Sequence, residues 1–96
     1  MPTGVTGART RTVLFVSTPA LWPAWPFLPV VRRAAGAEEL GVVFDAWAVC
    51  GATGFSACVF KTNVYALPPT VAAFLALPRE AYDSAEELFD RGWRVD

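Results

Sequence analysis

The clearest structural signal in the sequence is "GVVFDAWAVC" at residues 41–50, followed by "GATG" at 51–54 and "FSACVFKTNVYAL" at 55–67. Valine, phenylalanine and other strand-favouring residues fill both long pieces, and glycine bounds the short one. Two such runs around a short glycine-containing loop are typical of a β-hairpin. The sequence therefore predicts a central antiparallel hairpin over 41–67.

The length of the loop fixes the register of this predicted hairpin. With the loop at 51–54, Cys50 lies opposite Phe55, and strand alternation places Cys50 and Cys58 on opposite faces. Two cysteines on opposite faces form neither a disulfide nor a shared metal site. Both faces of the hairpin are largely apolar, so we expect the sheet to be covered on both sides.

Upstream of the hairpin, residues 19–29 read "PALWPAWPFLP", with four prolines, two tryptophans and no charge. Proline favours an extended path, and Trp22 and Trp25 lie one polyproline turn apart, so both rings would project the same way. We expect a proline-rich strap, and three uses of it stay open. It is a lid on the sheet, a protein-contact surface, or a platform for single-stranded nucleic acid.

The segments around the strap are assigned from their composition. Residues 1–10 are small, polar and glycine-bearing, which predicts a disordered tail. The apolar run at 11–17 predicts a strand buried on both faces. Residues 30–33 predict a short strand with a basic end, and residues 34–40 predict a loop or a single helical turn.

Capping signals place two helices near the C-terminus. Thr70 follows a proline and predicts a helix start, and Ser84 with Glu87 three residues later forms a capping box. Gly92 is placed to end the second helix, and residues 93–96 predict a closing strand. The result is a single α+β domain over 11–96, with a mostly antiparallel sheet of three to five strands and two short C-terminal helices.

Composition limits the kind of partner. The chain has 96 residues, 54% of them hydrophobic and only 18% charged, so we expect an exposed apolar patch of the sort that marks contact sites. A net charge of −1 offers no field to hold a polyanion. Residues 1–61 carry five cations and three acids, whereas 62–96 carry three cations and six acids, which favours self-association or a protein partner.

The sequence shows neither a signal peptide nor a membrane span. We therefore expect a cytoplasmic location, reduced cysteines and no membrane partner.

The sequence lacks the residues that several kinds of catalysis and ligand binding require. Histidine is absent, which removes the commonest general base and the usual Ser-His and Cys-His pairs. No glycine pattern forms a phosphate-binding loop, and no cysteine spacing matches a zinc site. We expect no cofactor and no metal.

The leading interpretation is a small non-enzymatic protein-interaction domain, acting as a homo-oligomer or as an accessory subunit of a larger assembly. Its predicted contact residues are Trp22, Trp25, Phe27, Arg32 and Arg33. The alternative is a single-stranded nucleic-acid-binding module that stacks bases on these aromatic rings and holds phosphates with the two arginines. A second alternative is an enzyme that works through Asp45 or Cys58.

Overall fold

The computed structural model describes residues 4–54 and 57–95 and shows an α+β fold with an antiparallel sheet of five strands, which confirms the predicted class. The strands are β1 (Phe27–Ala34), β2 (Ala37–Phe44), β3 (Cys58–Phe60), β4 (Arg79–Ala81) and β5 (Trp93–Val95). The α-helices are α1 (Gly4–Ser17), α2 (Ala46–Cys50), α3 (Val71–Leu75) and α4 (Ala85–Asp90). The strand order is β4-β3-β2-β1-β5.

The longest hairpin joins β1 to β2. Its turn residues Ala35 and Gly36 have φ of 52° and 77°, the left-handed pair that a two-residue hairpin needs to match strand twist. The short strand predicted over 30–33 is confirmed as part of β1. The loop or helical turn predicted over 34–40 is wrong, because this segment supplies the turn and the first half of β2.

The hairpin predicted over 41–67 is only partly right. Strands β2 and β3 are antiparallel neighbours with Val42 opposite Phe60, but β2 ends at Phe44 and helix α2 follows. The physical reason is a helix N-cap at Asp45, whose side chain accepts a hydrogen bond from the Ala48 amide. Cys50 therefore lies on a helix instead of a strand, and its predicted partner Phe55 lies outside the described residues.

The strand predicted over 11–17 is wrong, since these residues form the second half of α1. Thr12 and Val16 are buried, four residues apart, whereas Leu14 between them is half exposed. That spacing is helical, and four consecutive apolar residues at 13–16 concealed it. The helix continues back to Gly4, within the segment for which we predict a tail, and residues 1–3 lie outside the described part of the chain.

The sheet is covered on both sides, as predicted. On the face that we call the helix face, Val30, Val59 and Trp93 pack with Val16 of α1 and Leu88 of α4. On the opposite face, the phenylalanine face, rings from β1, β2, β3 and α3 pack together. Centroid distances within this group are 4.5 to 5.4 Å among Phe27, Phe44, Phe60 and Phe74.

The predicted helix caps are present. The Thr70 hydroxyl accepts a hydrogen bond from the Ala73 amide at 3.1 Å, and the Ser84 hydroxyl accepts one from the Glu87 amide at 3.1 Å. Gly92 follows α4 with a φ of 100°, a left-handed conformation that favours glycine, and the chain then enters β5. These local signals were sufficient to locate the starts of both helices.

The proline-rich segment does not follow the extended path predicted for it. Residues Pro19–Leu21 form a 3₁₀ turn, and the Trp25 amide donates to the Trp22 carbonyl oxygen in a second turn before β1 begins. Trp22 is 5% exposed and Trp25 is 51% exposed. The two rings therefore do not project the same way.

Candidate functional site

Asp45 ties the proline-rich segment to the start of α2. Its backbone amide donates to the Pro26 carbonyl oxygen at 2.9 Å, and its carboxylate accepts from the indole nitrogen of Trp25 at 2.8 Å. The second carboxylate oxygen accepts from the Ala48 amide at 3.4 Å. Asp45 is thus linked to two tryptophans. Trp25 donates a hydrogen bond to its carboxylate, and Trp47 follows it by two residues in the chain.

The two segments joined by Asp45 expose large apolar side chains. Trp47 is 69% exposed and Trp25 is 51% exposed. We define the aromatic surface as Leu21, Trp25, Trp47 and Val49, each of which is at least 39% exposed. Residues 18–31 and 46–60 contain no charged residue, so Asp45 is the one charge in the sequence around this surface.

A cavity of about 520 Å³ lies beside the aromatic surface. Its apolar lining residues include the exposed Trp47, the buried Trp22 and Phe44, and the aliphatic Val16 and Ala85. Its polar side chains belong to Ser17, Asp45, Thr53 and Ser84. The volume lies within the range of small-molecule sites, which are also mostly apolar with a few polar groups.

A second polar feature lies on the helix face of the sheet, and we call it the ion-pair cluster. It consists of Arg32, Glu39, Lys61, Glu80 and Tyr82. The guanidinium of Arg32 donates to Glu39 at 2.8 and 3.0 Å and to Glu80 at 2.9 and 3.0 Å. The Lys61 ammonium donates to Glu80 at 2.9 Å and also pairs with Glu39.

Next to the ion-pair cluster, Trp93 packs closely against Gly41 of β2. A Cβ atom at Gly41 would lie 2.4 Å from Val59 Cγ1 and 3.0 Å from the Trp93 ring, so a side chain at this point of β2 is excluded. The Trp93 ring fills this space, and the Arg32 guanidinium lies 4.4 Å from its centroid. The cation thus stacks on an aromatic face while it binds two carboxylates.

The charges of the ion-pair cluster stabilise one another. Hydrogen bonds from Arg32, Tyr82 and Lys61 hold the pKa of Glu80 well below its usual range. The hydrogen bond to Glu39 and that to Glu80 raise the pKa of Lys61. Two cations face two carboxylates, so the cluster is electrically balanced and suits a structural role.

The structure does not bring the five predicted contact residues together. Trp22 is buried, and its indole nitrogen donates to the Phe15 carbonyl oxygen, whereas Trp25 is exposed. Phe27 packs in the phenylalanine face. Arg32 and Arg33 are adjacent in β1 and point to opposite faces, the first into the ion-pair cluster and the second toward Glu38 at 2.9 Å.

Sequence reasoning missed Trp47 and Phe44 as site residues, because both were assigned to one long strand. The available signal was Asp45 before an alanine-containing run, since aspartate is a preferred N-cap and alanine the best helix former. A helix beginning there separates Phe44 from Trp47, and both then border the cavity.

The structure offers little to the two alternative functions. Arg32 is already bound by two carboxylates, so a nucleic-acid phosphate would have to displace them. Cys58 is buried, and desolvation raises its thiol pKa to about 11, which makes it a poor nucleophile. Asp45 is the one acid among the described residues around the cavity, so paired-carboxylate catalysis has no second group there.

Across residues 4–54 and 57–95, the structure groups no set of three histidine, cysteine or acidic side chains that would hold a metal ion. Within the same residues, no helix has the length and apolar character needed to cross a membrane. No family model, curated protein or solved structure matches the chain. The geometry of the site is therefore the basis for assigning a function.

Proposed function

We propose that the protein is a small non-enzymatic protein-interaction domain that binds a second copy of itself through the aromatic surface. The observation that carries the proposal is the exposure of Trp47 and Trp25, 69% and 51%, within two sequence segments, 18–31 and 45–60, whose one charged residue is Asp45. Tryptophan is enriched among the residues that dominate binding energy at protein interfaces.

The apolar area of the exposed indoles supports self-association. Covering the exposed part of one such indole removes roughly 150 Å² of apolar surface from water, which contributes about 3 to 4 kcal/mol. Two copies that each bury two indoles gain roughly 12 kcal/mol or more, against an association cost of about 4 to 15 kcal/mol. The gain is of the same order as the cost, so the exposed indoles can drive a reversible dimer, whose dissociation constant the area alone does not set.

The near absence of charge in the aromatic surface supports contact between two identical copies. In a twofold dimer the same surface lies on both sides, so a charged surface would oppose its own sign. Leu21, Trp25, Trp47 and Val49 are uncharged, and the Asp45 carboxylate is held by the indole of Trp25. An accessory-subunit role would use the same surface toward a different chain.

Sedimentation velocity of the purified protein tests this proposal. We expect the wild type to sediment above the 10.4 kDa monomer at high concentration, and Trp47→Ala to sediment as a monomer with an unchanged circular dichroism spectrum. Tyr65→Ala is the matched control, because Tyr65 is 94% exposed but lies outside the aromatic surface. A wild type that stays monomeric at millimolar concentration would refute self-association.

A further inference from the structure

We propose that the cavity beside the aromatic surface is a binding site for a small organic cation, specifically an ammonium group that carries alkyl substituents. The inference goes beyond self-association and does not depend on it, because the cavity lies within one chain. It rests on the exposed Trp47 that borders the cavity, on the cavity's single charge and on its size.

One aromatic ring is available to a ligand in the cavity. Trp47 borders the cavity and is 69% exposed, and tryptophan is the side chain whose ring face attracts cations most strongly. Trp22 and Phe44 also border the cavity, but they are 5% and 3% exposed, so they are packed in place before a ligand arrives and offer it little ring surface. A site whose walls are already ordered loses little entropy on binding.

The charge of the cavity selects the sign of the ligand. Asp45 is the one charged side chain among the described residues that border it, and the remaining polar ones are the neutral hydroxyls of Ser17, Thr53 and Ser84. Each carboxylate oxygen of Asp45 accepts one hydrogen bond from the protein and retains a second lone pair. A cation gains from this carboxylate, whereas an anion is repelled by it.

The cavity's size and apolar character select the kind of cation. A volume of about 520 Å³ exceeds what a bare ion fills and suits a ligand with several carbon atoms. Aliphatic side chains of Val16, Pro19 and Ala85 complete the walls, and they favour methyl or methylene groups over a strongly hydrated primary ammonium. An alkylated ammonium meets both demands because its charge is spread under apolar substituents.

Isothermal titration calorimetry with choline and with 3,3-dimethylbutan-1-ol tests this inference. The alcohol has the shape of choline, with a neutral carbon in place of the charged nitrogen. We expect choline to bind with a dissociation constant of about 0.1 to 1 mM and the alcohol to bind roughly tenfold more weakly. Equal affinity for the two compounds, or no saturable binding of choline, would overturn the inference.

Asp45→Asn removes the charge of the cavity. Asparagine is as good an N-cap as aspartate, so its one oxygen can keep the bond from the Ala48 amide and the start of α2, whereas the bond from the Trp25 indole is lost. We expect choline affinity to fall about tenfold and affinity for the alcohol to stay the same. Asp90→Asn, which removes an exposed acid from α4 outside the cavity, should leave both affinities unchanged.

Trp47→Phe and Trp47→Ala provide a second test of choline binding, which can be used if Asp45→Asn does not fold. The phenylalanine variant retains an aromatic ring and should bind choline within a few-fold of the wild type, whereas the alanine variant should lose most of the binding. Equal choline affinity of the alanine variant and the wild type would contradict the inference. Choline binding by a strictly monomeric protein would refute self-association alone, and a dimer that ignores choline would refute the cavity's ligand alone.

Discussion

Replacing Glu80 by glutamine removes one of the two carboxylates of the ion-pair cluster while it keeps the size of the side chain. Glu80 accepts hydrogen bonds from Arg32 at 2.9 and 3.0 Å, from Lys61 at 2.9 Å and from the Tyr82 hydroxyl. In Glu80→Gln, two cations share the single carboxylate of Glu39. The variant therefore loses attraction without creating a cavity.

The size of the effect follows from exposure. Breaking a fully buried ion pair costs about 3 to 5 kcal/mol, whereas an exposed pair contributes about 0 to 1 kcal/mol. The side chains of Glu80, Lys61 and Arg32 are 32%, 29% and 21% exposed, between these limits and partly screened by solvent. We expect Glu80→Gln to lower the free energy of unfolding by about 2 kcal/mol at neutral pH.

The direction of the pH dependence follows from the pKa of Glu80. Its pKa is lower in the folded protein than the ordinary value of 4.5, so the stabilisation is complete above pH 4.5 and is lost as pH falls toward the folded value. The wild type should therefore lose stability below about pH 5, and the difference from Glu80→Gln should shrink over the same range.

Urea unfolding followed by tryptophan fluorescence at pH 7 and at pH 2.5 measures both effects. The midpoint should fall in the variant at pH 7 with an unchanged slope, and the two midpoints should approach each other at pH 2.5. Glu38→Gln is the matched control, because Glu38 pairs with Arg33 in an exposed position, and it should change stability by less than about 1 kcal/mol. If the midpoint of Glu80→Gln equals that of the wild type at pH 7, or if the difference between the two midpoints is undiminished at pH 2.5, the charge of Glu80 does not stabilise the fold.

Two further predictions follow from packing. Gly41→Ala should destabilise the fold by about 1 to 3 kcal/mol, because the new Cβ meets Val59 and Trp93. The melting temperature in a calorimetric scan should therefore fall, and an unchanged melting temperature would contradict this close approach. Iodoacetamide should label Cys50 and spare Cys58 in the folded protein, because Cys50 is exposed whereas Cys58 is buried with a raised thiol pKa. Both cysteines lie in the tryptic peptide 34–61, whose fragment ions in tandem mass spectrometry distinguish the two sites. Equal labelling without denaturant would show that β3 is accessible.

Local signals in the sequence predicted the parts of the fold that depend on local interactions. The caps at Thr70 and Ser84 need only a side-chain oxygen and an amide two or three residues on, so the sequence was enough to locate them. Helix α1 was missed because its apolar residues at 13–16 are contiguous and match a buried strand equally well. Only the packing of Val16 against the sheet decides between the two.

The candidate site was less accessible to sequence reasoning. Trp25 was identified from composition, and its exposure is 51%, but its bond to Asp45 joins residues twenty positions apart. Trp47 was hidden by the strand assignment, since tryptophan is enriched in strands and its apolar neighbours fit a buried one. The pairing of Arg32 with Glu80 across the sheet is likewise a tertiary contact that no local pattern encodes.

If Trp25 and Trp47 form a surface that binds a second copy, the indole N–H signals of ¹⁵N-labelled protein report the contact at each ring separately. The chain has four tryptophans, and the buried Trp22 and Trp93 serve as internal references. On dilution through the micromolar range, we expect the signals of Trp25 and Trp47 to move and those of Trp22 and Trp93 to stay in place. Four indole signals that are all independent of concentration would contradict the account.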